Sequence, residues 1–155
     1  MPNTHTVALD GGTLQRGFWL YTWEVTPPDG EKLLYVGRTG DSSSPNAQSP
    51  FNRMGKHLGN LETSSMLRNH LDKRGVLPEQ CKFRLVAHGP ILEEADGMEA
   101  HKERRDLIGA LEKKLAEDLA AAGYEVMNTV NCLKPLDEEM YAPVHAAFAQ
   151  EFRGL

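Results

Sequence analysis

FWLYTWEV (residues 18–25), TPPDG (26–30) and LLYVG (33–37) decide the fold of this 155-residue chain. Aromatic and β-branched residues crowd both flanks, and such residues suit a pleated, packed strand. Between them proline presets φ and glycine accepts a positive one, which is turn chemistry. The segment therefore predicts a β-hairpin. Trp19, Tyr21, Trp23 and Val25 alternate along its first strand, so the face they share is expected to be buried. With the turn centred near Pro28 and Asp29, Tyr21 lies opposite Val36 and one place from Tyr35. A single-residue bulge would bring the two phenols onto one face.

Outward from the hairpin, residues 1–15 form a flexible leader in which Gly11 and Gly12 break any pattern. Residues 39–50 are a polar loop. Phe51, Met54 and Leu58 have helical spacing, and 61–73 predicts another short helix ended by Gly75 and Pro78. Residues 82–87 alternate as a third strand, closed by Gly89 and Pro90. A long helix is expected over 94–122, with Leu107, Ile108, Leu111, Leu115 and Leu119 inside an arc of about 120°. Residues 124–130 add a short strand or an ordered extension, and 138–152 a last amphipathic helix. The expected class is α/β or α+β: a small, mainly antiparallel three-stranded sheet with helices packed around it. Residues 16–131 form the domain and 132–155 its C-terminal helical extension.

Hydrophobic residues at 40% and charged residues at 25% sit near globular averages and exclude wholesale disorder. No apolar run approaches the roughly 20 residues of a membrane span, and the N-terminus lacks a signal pattern. Cys81 and Cys132 are too few for a disulfide scaffold, so free thiols and a cytoplasmic location are expected, with no membrane partner. The net charge of −5 disfavours a general nucleic-acid coat. The charge is uneven, however: residues 32–74 carry seven basic against three acidic side chains. That stretch is either the face that meets a polyanion or a solvated surface.

Three groups of residues could carry chemistry. Tyr21 and Tyr35 are either stacked core aromatics or phenols beside an activated water. Arg53 and His57, four apart on a helix, share a face; they are either solvated surface residues or a phosphate fork with a proton carrier. The arginine is expected to be exposed. Glu112 lies about 20° from Leu119 on the helical wheel, at the margin of the apolar arc. It is either a boundary residue reaching water or a carboxylate paired with an arginine or a divalent cation. The remaining histidines and the two cysteines lack zinc-ligand spacing.

In this order the chain resembles the GIY-YIG nuclease family. Leu20-Tyr21 falls in the first strand and Tyr35-Val36-Gly37 (YVG for YIG) in the second. Arg53 and His57 follow on the first helix, Glu112 on a later one, and Asn128 beyond it. The likeness spans 17–128, with Trp19-Leu20 where the family has Gly-Ile, and Asn131 competes with Asn128. It implies hydrolysis of phosphodiesters in DNA, branched or damaged DNA included, with one Mg²⁺ or Mn²⁺ held by Glu112. Arg53 would bind the phosphate, and Tyr21 would activate water with help from Tyr35 and His57. Arg38 and Lys56 would approach backbone phosphates, while Asn128 would fix the glutamate or brace the fold. Two further readings stay open: a catalytically inactive module that binds nucleic acid or protein, and an interaction domain whose acidic helices dock a protein partner.

Overall fold

A computed structural model of the chain describes residues 1–41, 44–61 and 65–155. The hairpin forms from β1 (Phe18–Thr26) and β2 (Leu33–Arg38), antiparallel. Its register is one residue from the expected one: Tyr21 faces Gly37, and Trp23 faces Tyr35. The connecting loop centres on Asp29, whose carboxylate accepts from Glu31 N, while Gly30 turns at φ 83°. Both phenols therefore share a face with no bulge between β1 and β2. Gly37 makes this possible, because a Cβ there would come within 2.5 Å of the Tyr21 ring.

β3 (Lys82–Leu92) pairs antiparallel with the other side of β1. It continues past the expected stop at Gly89–Pro90, a cis bond, and its register shifts between Phe18 and Leu20. An edge strand tolerates proline, whose missing N–H need not serve a ladder. A fourth strand corrects the three-stranded expectation: β4 (Glu125–Val126) runs parallel to β2, giving a mixed sheet ordered β3-β1-β2-β4. Two residues make a weak strand, and Asn128 extends it. Its Nδ2 donates to Val36 O at 2.7 Å and its Oδ1 accepts from Val36 N at 3.0 Å, so the side chain imitates a further strand residue.

Helices cover both faces. α1 (Pro50–Leu58) starts at Ser49, whose hydroxyl accepts from Asn52 N, with proline in the first turn. α2 is Met66–Lys73; the expected helix begins earlier, at 61, and 62–64 lie outside the described residues, as do 42–43 of the polar loop. With Tyr21, Trp23, Val25, Leu33 and Tyr35, the helices bury Met54, Leu58, Leu67 and Leu71. On the opposite face α3 (Met98–Ala121) and α4 (Glu138–Ala149) bury Ile108, Leu111, Leu115, Leu119, Val144 and Phe148 against Phe18, Leu20, Leu34 and Val36. Both faces of β1 are thus buried. α3 begins four residues later than expected, because Arg104 Nη1 holds the carbonyls of Glu93 and Glu94 outside the helix. Residues 1–9 are exposed without regular structure, and Gly11–Leu14 form a 3-10 turn capped by Asp10. No helix among the described residues is long and apolar enough to cross a membrane.

Two glycines provide a test of this packing. Gly37→Ala should lower unfolding free energy by about 1–3 kcal/mol, because the Tyr21 ring has nowhere to move. Gly55→Ala, on an open face of α1 with nothing near its Cβ position, should raise it by about 0.5–1 kcal/mol. Urea unfolding of both variants reads the difference, and equal effects would contradict the proposed packing.

Candidate functional site

β2 ends at Arg38, and its last residues carry the site. Tyr35 projects toward α1 and α2, while Arg38 turns the other way, onto α3. There its guanidinium lies over Gly109, where any Cβ would overlap it. A glycine in a helix interior costs about 1 kcal/mol relative to alanine; here it opens the slot for the arginine. One turn further along α3, Glu112 Oε2 accepts from Arg38 Nη1 at 2.7 Å. Tyr35, Arg38, Glu112 and Asn128 line one cleft together with Asp41 and His70.

Glu112 keeps 12% of its side-chain exposure. Burial pushes its carboxyl up to about 7, against the pull of Arg38, and Asp41 pushes it further. The helical wheel locates it correctly at the apolar margin, and Arg38 is the partner such a position demands.

Arg53 and His57 come from α1. The Arg53 side chain is 21% exposed, not the solvated residue expected, and its Nη2 donates to Asp41 Oδ2 at 3.3 Å. Burial would lower its pKa, but Tyr21 and Asp41 raise it more, so the guanidinium is held firmly charged. Arg53 and Lys56 line a depression beside the cleft, and Lys56 Nζ donates to Gln48 Oε1 at 3.2 Å. His57 is buried between the phenols: Tyr21 Oη lies 2.6 Å from Nε2, and the Tyr35 ring centroid 4.9 Å from its own.

Burial, then Arg53, pushes His57 down to about 4, so the imidazole is neutral near pH 7. Burial raises the Tyr21 phenol well above its usual range despite Arg53, and pushes Tyr35 up to about 12. Tyr21 therefore keeps its proton near pH 7, and its hydroxyl shares a hydrogen bond with the neutral imidazole at Nε2. His57 Nδ1 is buried without a hydrogen-bond partner among the described residues.

The five expected residues thus gather in one region but at different depths. Tyr35 and Glu112 line the cleft and Arg53 the adjoining depression, with Tyr21 and His57 behind them at 1% and 2% exposure. The Asn128 amide is taken up by Val36, the geometry of a brace. Sequence reasoning missed Asp41 and His70. Asp41 is the sole acidic residue between Glu31 and Glu62, a signal that was available. His70 packs on Tyr35 at 5.7 Å between ring centroids, and nothing in its spacing marks it.

A hard cation entering the cleft would meet carboxylate oxygens of Glu112 and Asp41. Among the described residues no three His, Cys, Asp or Glu side chains cluster as a metal cage. Mg²⁺ commonly binds through one or two carboxylates and keeps several waters, and Glu112 offers such a carboxylate.

The buried carboxyl has a measurable consequence. Folded Glu112 holds its proton to about pH 7, against an ordinary value of 4.5. The native state therefore binds more protons than the unfolded one, and this group makes stability fall as pH rises from about 4.5 to about 7. Glu112→Gln should match the wild type at pH 4.5 and exceed it by about 3 kcal/mol at pH 8 in chelator. Urea unfolding at both pH values checks this, and a pH-independent difference would contradict it.

No family model, curated protein or solved structure matches this chain.

Proposed function

We propose that the chain is a GIY-YIG-type endonuclease that hydrolyses phosphodiester bonds in DNA. The observation that carries this reading is the convergence of Tyr35 from the hairpin and Glu112 from α3 on one cleft, beside Arg53 and the buried Tyr21–His57 pair. In-line phosphoryl displacement needs charge stabilisation, a positioned cation and a way to deprotonate water, and these residues supply the parts.

Glu112 would hold one Mg²⁺ or Mn²⁺, which supplies charge stabilisation at the departing oxygen. Arg53 binds the non-bridging phosphate oxygens with its planar fork. Arg38 keeps Glu112 in place and faces the phosphates flanking the scissile one. Tyr35, on the cleft wall, orients the attacking water. Behind it, Tyr21 accepts a proton as its own moves to His57 Nε2, which keeps the count of protons closed. Bound phosphate offsets Arg53, one of the two influences that hold His57 neutral, so substrate itself makes the imidazole a better acceptor. The burial of Tyr21 favours the alternative of a binding module that does not cut.

Plasmid and branched DNA, with Mg²⁺ or Mn²⁺ or with chelator, separate the two. Wild type should cut only with metal. Arg53→Ala and Glu112→Gln should each lose about 10²-fold or more of the rate while still unfolding cooperatively. Arg53→Lys should recover only part, because an ammonium lacks the fork. Binding without cutting under every divalent metal would overturn the nuclease reading in favour of the module.

A further inference from the structure

Each arginine at the site is matched by one carboxylate: Arg38 by Glu112 at 2.7 Å and Arg53 by Asp41 at 3.3 Å. Lys56, the third cation, is bonded to a neutral amide. The two carboxylates differ in circumstance. The Asp41 side chain is 38% exposed against 12% for Glu112, and its bond is the longer. Water is therefore a ready alternative partner for Asp41, and the pair contributes little stability to oppose exchange. Asp41 is also the one described residue that lines both the Arg53–Lys56 depression and the Tyr35–Glu112 cleft. Its charge acts on Tyr21, Tyr35, Arg53, His57 and Glu112.

We propose that Asp41 is an electrostatic gate on Arg53: a carboxylate that occupies the arginine in the free protein and must release it before a phosphodiester can take its place. The proposal rests on the nuclease reading. Above about pH 7, where Asp41 and Glu112 are both charged, the five ionic groups at the site sum to a single positive charge, that of Lys56. A bare phosphate entering the cleft meets little net attraction and the repulsion of two carboxylates. A divalent cation adds two positive charges on the carboxylate side, and the balance turns toward phosphate. Asp41 thereby makes polyanion binding conditional on metal in a chain whose net charge of −5 already disfavours it.

The test is binding without cleavage, by fluorescence anisotropy of a labelled duplex in chelator and then in Ca²⁺. Asp41→Asn preserves size, and the residue lies outside helix and strand. The variant should bind about tenfold tighter than wild type in chelator, with a log–log salt slope steeper by about 0.9, one phosphate contact. The advantage should shrink in Ca²⁺. Glu139→Gln removes the same charge from an exposed position on α4 and should change affinity less than twofold. An equal gain in Glu139→Gln would reduce the effect to net charge and overturn the gate. Asp41→Asn binding no tighter than wild type, while Arg53→Ala weakens binding, would overturn the gate and leave the nuclease reading standing. Absence of binding by all four proteins in both conditions would overturn both.

Discussion

The Arg38–Glu112 ion pair is the constraint on which the rest of the structure depends. A buried pair of this kind seldom stabilises a fold more than apolar residues of the same volume would, since desolvation takes back much of the Coulomb attraction. Yet two other residues support the strand and helix that carry it. Gly109 leaves room on α3 for the guanidinium. Asn128 extends the two-residue β4 along β2, at the strand whose end carries Arg38. The carboxylate itself sits where burial drives it toward neutrality. A sequence selected for stability alone would have little reason to keep such an arrangement, and a cleft that must present one carboxylate has good reason.

From that pair the geometry runs outward along β2. Alternation puts Arg38 on the α3 side of the sheet and Tyr35 on the α1–α2 side, so the strand distributes its last residues to both layers. The hairpin register then sets Tyr21 opposite Gly37, where its ring has room to reach His57. A shift of one residue would send Tyr21 to the other face and separate it from α1 altogether. The site therefore inherits its precision from backbone pairing in the centre of the sheet, while its outer members, Asp41 and Lys56, are exposed.

Much of this was legible in the residues and some was not, for physical reasons. The hairpin announces itself because its strands are dense in aromatic and β-branched side chains. Glu112 stands out because a helix has a fixed period, which makes a misplaced carboxylate visible. β4 has too few residues to show a period, and its pairing is extended by the Asn128 side chain, which no backbone propensity records. The register was one place off because the loop's centre depends on how Asp29 and Gly30 divide the turn. β3 ran through Gly89–Pro90 because only its position at the sheet edge makes a proline acceptable there. The depth of Arg53 is not legible in the sequence, because helical spacing reports a shared face and not what covers it.

The claim at the centre of this account is a divalent cation at Glu112, and paramagnetic broadening by Mn²⁺ tests it most directly. Proton spectra of the Tyr35 and His70 rings, both on the cleft wall with Glu112, would be recorded as Mn²⁺ is added with a short non-cleavable oligonucleotide present. The account predicts selective broadening of these two rings in the wild type and its loss in Glu112→Gln. Equal broadening in the variant, or broadening confined to rings remote from the cleft such as Tyr141, would contradict it.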